Sequence, residues 1–222
     1  MLIIAALVWI ALHIGVAGTR LRDGIVRSLG ERTFRGAFAV ASIATLIWLS
    51  RSYNAAATSL LWRPPPWLLL LLALAMLPAC LLFIGSVTTP NPTAIGGEGT
   101  VAQPRGIQRV TRHPMLWSFA IWAAVHMIGN GDTASLVFFG AILITALVGM
   151  PSIDAKLARR DPAAWSVLAA GTAIVPFAAI VQGRNRLVWH EIGWWRIGLG
   201  LILWGLLLYL HPILIGASAL PQ

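Results

Sequence analysis

Five apolar runs set the limits on what this chain can be, at residues 1–18, 34–50, 67–88, 132–150 and 193–216. Each is long enough to cross a hydrocarbon core of ~30 Å at ~1.5 Å per residue. A sixth run, 114–130, is slightly short for the same job. Backbone polar groups find no water in lipid, so segments of this kind must close their hydrogen bonds internally as helices. The composition agrees, with 58% hydrophobic residues, 10% charged residues and a mean hydropathy of +0.81. The expected fold class is therefore all-α: a polytopic transmembrane helix bundle of about six spans. No repeat of fixed period and no low-complexity tail divides it, so residues 1–222 read as a single integral membrane domain.

One further segment, 164–182, is uncharged but carries Ser166, Gly171, Thr172 and Pro176. It either spans or dips in and returns, and the arginines help to decide. Positive residues in short loops stay on the cytoplasmic side, so the first loop, with Arg20, Arg22, Arg27, Arg32 and Arg35, should be cytoplasmic. Alternation then places Arg105, Arg109, Arg112, Lys156, Arg159 and Arg160 inside as well. Arg184, Arg186 and Arg196 join them only if 164–182 returns to the side it left. The expectation is one re-entrant or surface-lying segment beside the spans, with both termini outside. The opening stretch lacks a basic n-region and reads as a retained first span rather than a cleaved signal.

The charge is strongly cationic, 16 Lys+Arg against 7 Asp+Glu, and it collects between the apolar runs. That distribution suits membrane lipid headgroups and not nucleic acid, which needs a basic patch on a solvated face. The single cysteine, Cys80, excludes an intrachain disulfide and a cysteine metal cluster. No serine-histidine-aspartate order, helical metalloprotease motif or phosphate-binding loop occurs, and Gly96, Gly97 and Gly99 form no dinucleotide fingerprint.

Ionisable groups inside apolar helices are costly unless they face a partner or a cavity, so they are the first place to look for chemistry. Here they are mainly histidines. His13 lies toward the cytoplasmic end of the first span and His113 begins the fourth. His126 follows about 20 Å further along the same helix at ~1.5 Å per residue, and His211 is near the outer end of the last span. Depth sorts them into an inner pair, His13 with His113, and an outer pair, His126 with His211. Either pair could sandwich a haem, because imidazole is a common axial ligand. Each could equally be a histidine bonded to a backbone carbonyl.

Two polar stretches add candidates. The loop 88–114 is rich in glycine and proline, and long polar loops in compact bundles usually carry function. Its Arg105, Arg109 and Arg112 could clamp an anionic group such as a haem propionate or a lipid phosphate, or be ordinary positive-inside arginines. The stretch 151–163 reads most simply as a solvated amphipathic turn, with Asp154 and Lys156 as candidates to line a pocket.

Three blocks carry a resemblance: LHIGVAGTRLR from Leu12 to Arg22, followed by GERTFRG from Gly30; IQRVTRHPMLWSF from Ile107 to Phe119, with His126 and the GNGD turn beyond; and LHPILIG from Leu210 to Gly216. Together they resemble the NnrU family of bacterial membrane proteins, whose relatives include the plastid zeta-carotene isomerase. The resemblance implies a bacterial inner (cytoplasmic) membrane location and an association with denitrification and nitric-oxide handling. Through the carotenoid enzyme it implies haem b with histidine ligands and isomerisation of a cis double bond when the iron is reduced. Carried over by motif, the ligands fall on His13 and His113, with His126 as the alternative to the second.

A more distant likeness is to isoprenylcysteine carboxyl methyltransferases, through Arg112-His113-Pro114 and Ile174-Val175-Pro176-Phe177. There His113 would touch S-adenosylmethionine instead of iron, although Ser152-Ile153-Asp154 stands where paired glutamates are expected. The leading expectation is a haem b protein acting as a redox-gated isomerase or as an accessory in nitrogen-oxide metabolism. Its partner would be an apolar small molecule or a diatomic gas. A methyltransferase and a non-enzymatic transporter or assembly factor are the alternatives.

Overall fold

The computed structural model describes residues 1–91, 93 and 103–221. Gly96, Gly97 and Gly99 therefore lie outside the described residues.

The chain begins as helix α1, Leu2–Ile10, which widens into a π-helical stretch, Ala11–Val16, where Ala17 N–H reaches back five residues to Leu12 O. The path then bends by 75° into α2, Arg20–Leu29. Thr19 caps α2 by accepting from Leu21 N–H. Gly30 turns the chain into α3, Glu31–Asn54, which runs back beside α1. Next come α4, Pro66–Thr88; a single 3-10 turn, Gly106–Arg109; α5, Pro114–Asn130; and α6, Thr133–Arg160. The shorter α7, Pro162–Gly171, α8, Ala178–Val181, and α9, Trp189–Ile192, lead into α10, Trp194–Ile215. Three of these helices, α4, α5 and α7, start on proline, whose missing N–H costs nothing in the first turn.

The membrane reading holds. Helices α3, α4, α6 and α10 are long and apolar enough to cross a bilayer, and the bent α1–α2 pair makes a fifth if counted as one span. Helix α5, at 17 residues, covers about 26 Å at ~1.5 Å per residue. Segment 164–182 is not one helix. It holds part of α7, a non-helical stretch and α8.

The long helices pack as a row in the order α3, α1, α6, α5, α4, α10. Lipid removes the hydrophobic drive for helices to associate, so close backbone approach between small residues takes its place. The buried positions show this: Ala5, Ala6, Ala79, Ala120, Ala123, Ala134, Ala141, Ala146, Ser118 and Ser135 lie between helices. Conversely, Ile202, Leu206, Ile213 and Leu214 on α10 are half or more exposed, which only an apolar solvent tolerates.

The stretch expected to be a solvated turn, 151–163, is corrected by the fold. Helix α6 continues through Pro151 to Arg160, and Asp154 is buried on it. Hydropathy drops at residue 150 while the helix does not, because Ser152 and Asp154 in its last turns find partners in the protein.

At the opposite end, the α5–α6 turn is clasped by the α3–α4 connection. Leu61 and Trp62 N–H both donate to Gly131 O, and Trp62 Nε1 donates to Ile128 O. Thr58 bonds Asp132, which also caps α6 through Ser135 N–H. Gly131 adopts φ +65°, and a Cβ there would lie 2.2 Å from Trp62 O. Gly131→Ala should therefore destabilise by about 1–3 kcal/mol. The check is thermal unfolding in detergent micelles, with an expected fall of roughly 2–4 °C per kcal/mol.

Candidate functional site

Two clusters hold most of the chemistry, one at each end of α5. At its start, Pro114 fixes the first turn and His113 is pinned just ahead of it by a bond from its N–H to Thr111 Oγ1. The His113 ring is 1% exposed, and its Nε2 lies 2.8 Å from Asp154 Oδ1. Arg112 meets the same carboxylate from the other side, with Nε at 2.9 Å and Nη2 at 2.7 Å from Oδ2. The remaining guanidinium nitrogen donates to Thr172 O at 3.1 Å, and Trp165 stacks on the cation at 5.1 Å. With Asp154 ionised by that fork, Nε2–H of His113 is the donor. His113 Nδ1 is buried with no partner among the described residues.

Near the far end of α5, His126 and His211 face each other with ring centroids 6.2 Å apart and planes 28° apart. The Nδ1 of His126 lies 2.8 Å from Trp122 O, and the Nδ1 of His211 lies 2.7 Å from Ala217 O. A carbonyl only accepts, so both Nδ1 atoms carry a proton, and in the neutral ring each Nε2 keeps a free lone pair. That is the tautomer of a metal-ligating histidine whose second nitrogen is held by a backbone carbonyl. Phe139 and Trp122 wall the His126 ring, with centroids at 5.0 and 5.2 Å.

His13 has the same local chemistry, its Nδ1 lying 2.9 Å from Trp9 O in the π-helical stretch, and it packs against Trp9 and Phe38. No hydrogen bond or ring contact joins it to His113. Of the four histidines, the structure thus brings together His126 and His211. No cluster of three or more His, Cys, Asp or Glu side chains suited to a metal occurs among the described residues.

Comparison with known proteins places the chain. The family model described as "NnrU protein" matches residues 1–219. The chain belongs to the NnrU family. It is similar to the 15-cis-zeta-carotene isomerase of Arabidopsis thaliana, at 25% identity over 186 residues, covering 82% of this chain and 50% of that protein. It is also similar to the Zea mays 15-cis-zeta-carotene isomerase, at 34% identity over 82 residues, covering 37% of this chain and 22% of that protein. The chain thus spans half or less of the length of these curated relatives. No solved structure matches it.

The three loop arginines of this NnrU chain have different fates. Arg112 is held by Asp154, as above. Arg109 is held by Glu191 through two bonds, at 2.7 and 2.9 Å, and by Asn185 at 2.7 Å. Arg105 is exposed. Two of the three thus balance internal carboxylates, leaving Arg105 as the one turned to solvent. Glu191 was not singled out from the sequence, since nothing in the local pattern at 189–192 marks a partner 82 residues away. Trp165 escaped notice for the same reason.

Two expectations follow. Replacing Asp154 by Asn strands a buried guanidinium, so Asp154→Asn should cost about 3–5 kcal/mol, read as loss of folded protein or a lowered melting temperature in micelles. The Glu191 carboxyl is held at about 2, against an ordinary 4.5, chiefly by the Arg109 hydrogen bonds, with burial opposing and Gly106 N–H assisting. A depressed carboxyl stabilises fully above its ordinary value and loses that contribution as pH falls toward the folded one. Melting temperature should therefore drop between about pH 4.5 and about pH 2, and Glu191→Gln should drop less over that window.

Proposed function

We propose that this chain is a membrane-embedded isomerase acting on an apolar polyene with a cis double bond, with haem b held between His126 and His211. The observation that carries the site is the facing ring pair, each Nδ1 bound to a carbonyl and each Nε2 free. The donor set fits the group: two neutral imidazoles from separate helices, in a setting otherwise walled by Phe139 and Trp122. When bound, haem b would supply a redox-active iron, the chemistry that a redox-gated isomerisation needs.

The residues of the chain do the rest. Trp122 O fixes the His126 ring from within α5, while His211 is tied to Ala217 beyond the end of α10. Ala217 is exposed, so of two histidines holding a haem His211 would be the more readily displaced. Phe139 and Trp122 keep water from the His126 side and present an apolar wall to a polyene. A methyltransferase has less support, because His113 is buried against Asp154.

The proposed arrangement in the membrane has six spans, α1 and α5 included, with both termini outside in a bacterial inner membrane. Its support is the arginine sorting and the path of 164–182. Thr111 Oγ1 donates to Ile174 O and Phe177 N–H donates to Val110 O, which ties that segment to the start of α5. Arg184 donates to Ala169, Ala170 and Thr172 carbonyls, so the segment leaves beside the place where it entered.

Purified protein from haem-replete cells should show a Soret band and a sharp α band on reduction. His126→Ala and His211→Ala should each change that spectrum, and His113→Ala should leave it. Loss in His13→Ala with retention in His211→Ala would move the ligand to the first span, and a colourless preparation would end the haem reading. Reduced protein should convert a 15-cis polyene, followed by chromatography. Haem binding with no conversion would turn the reading toward an accessory role in nitrogen-oxide metabolism with a diatomic gas as ligand.

A further inference from the structure

Where the start of α1, the end of α3 and the start of α6 meet, they leave an open cavity of about 590 Å³. Trp48, Arg51 and Ser52 line it from α3, and Leu2, Ile3 and Ala134 line it from the other two helices. Residues 48, 51 and 52 stand three and four apart on α3, so they share one helical face.

Each of the three brings a donor: an indole N–H, a guanidinium and a hydroxyl. None of these groups has a hydrogen bond or an ion pair among the described residues. The buried unpaired side-chain atoms of the described residues are Trp9 Nε1, Ser42 Oγ and His113 Nδ1, so Trp48 Nε1 and Ser52 Oγ remain accessible. None of the described residues that line the cavity is acidic. Asp132, beside the lining residue Thr133, is already committed to Thr58 Oγ1 and to the N–H and Oγ of Ser135. Donors that share a cavity with no acidic acceptor suit a ligand rich in acceptor oxygens, and an unpaired guanidinium suits an anionic one.

We propose that this cavity binds the phosphate of an anionic membrane phospholipid, with Arg51 on the phosphate oxygens and Trp48 and Ser52 donating beside it. A lipid fits better than a free anion because an apolar track leads to the site. Ile47, Ile43 and Val40 are each more than half exposed and step back along α3 from Arg51 at helical spacing. That track is about 16 Å long at ~1.5 Å per residue, on the scale of an acyl chain. Helix α3 is long and apolar enough to span, and Arg51 sits in its last turn, at the depth of the headgroups. A headgroup ammonium, as in phosphatidylcholine, finds no carboxylate among the lining residues, which favours an anionic headgroup.

The test uses full-length protein in neutral detergent, with melting temperature read after adding phosphatidylglycerol, phosphatidylcholine or inorganic phosphate. Phosphatidylglycerol should raise the wild-type value by roughly 2–4 °C more than phosphatidylcholine does. The Arg51 side chain is exposed and has no partner among the described residues, so Arg51→Gln should melt as wild type does in phosphatidylcholine and lose most of that increment. Arg63→Gln, also exposed and next to Trp62 of the clasp at the same end of the bundle but outside the cavity lining, should keep it. The proposal fails if Arg51→Gln keeps the increment, if Arg63→Gln loses as much, or if inorganic phosphate alone reproduces it. Should Arg51→Gln not fold, native mass spectrometry of wild type beside Ser52→Ala decides. Preferential retention of phosphatidylglycerol that Ser52→Ala weakens supports the site; equal retention of the two lipids, or a preference that Ser52→Ala leaves intact, overturns it.

Discussion

A single carboxylate inside the helix row, that of Asp154, sets the arrangement at one end of the protein. A lone charge there would be expelled, so Asp154 needs partners, and Arg112 and His113 supply them from the residues just ahead of α5. The same guanidinium reaches Thr172 O, which brings the end of α7 to that point. Arg112 N–H donates to Ala173 O and Phe177 N–H to Val110 O, so residues 172–177 run beside 110–113. One ion pair thereby joins α5, α6 and the end of α7, and it explains why an uncharged segment of nineteen residues, 164–182, does not continue as one helix.

What happens at the far end of α5 depends on this anchoring. Proline at position 114 starts the helix where the ion pair holds it, and helical rise carries His126 to the other end. There the α5–α6 turn is held by the clasp from the α3–α4 connection, so both ends of α5 are fixed by polar contacts and its middle by small-residue packing. The His126 ring is thus positioned by elements that bind nothing themselves. His211 arrives independently on α10, which packs on α4.

Helix positions were readable because lipid makes one demand, apolar length, and the runs ending at residues 50, 88 and 130 meet it at nearly the ends seen. Hydropathy misjudged α6, since five of its last ten residues are polar or charged and two of them, Ser152 and Asp154, are held by tertiary partners no window detects. Among candidate site residues, depth along the helices was legible and azimuth was not. Depth paired His126 with His211, and those rings do meet. It also paired His13 with His113, yet α1 and α5 each pack on α6 and not substantially on each other, and the His113 ring turns to Asp154. Arg109 was marked as a clamp for an anion, but its anion is Glu191, a long-range partner that spacing cannot reveal.

The two ends of α5 differ in a way that bears on which could host exchangeable chemistry. At its start, every charged group is committed: Asp154 to two partners, Arg112 to three groups, and His113 by its Nε2. Removing Asp154 or Arg112 strands the other, so that pair is structural, while the His113 ring is held through Nε2 and keeps Nδ1 without a partner among the described residues. At the other end the histidines are held only through Nδ1 to backbone carbonyls, and their Nε2 atoms are uncommitted. A ring held through one nitrogen can pivot and bind through the other without leaving a buried charge alone. The polar group that shapes the fold and the polar groups available for chemistry are thus separated by the length of one helix, and changes at the second need not disturb the first.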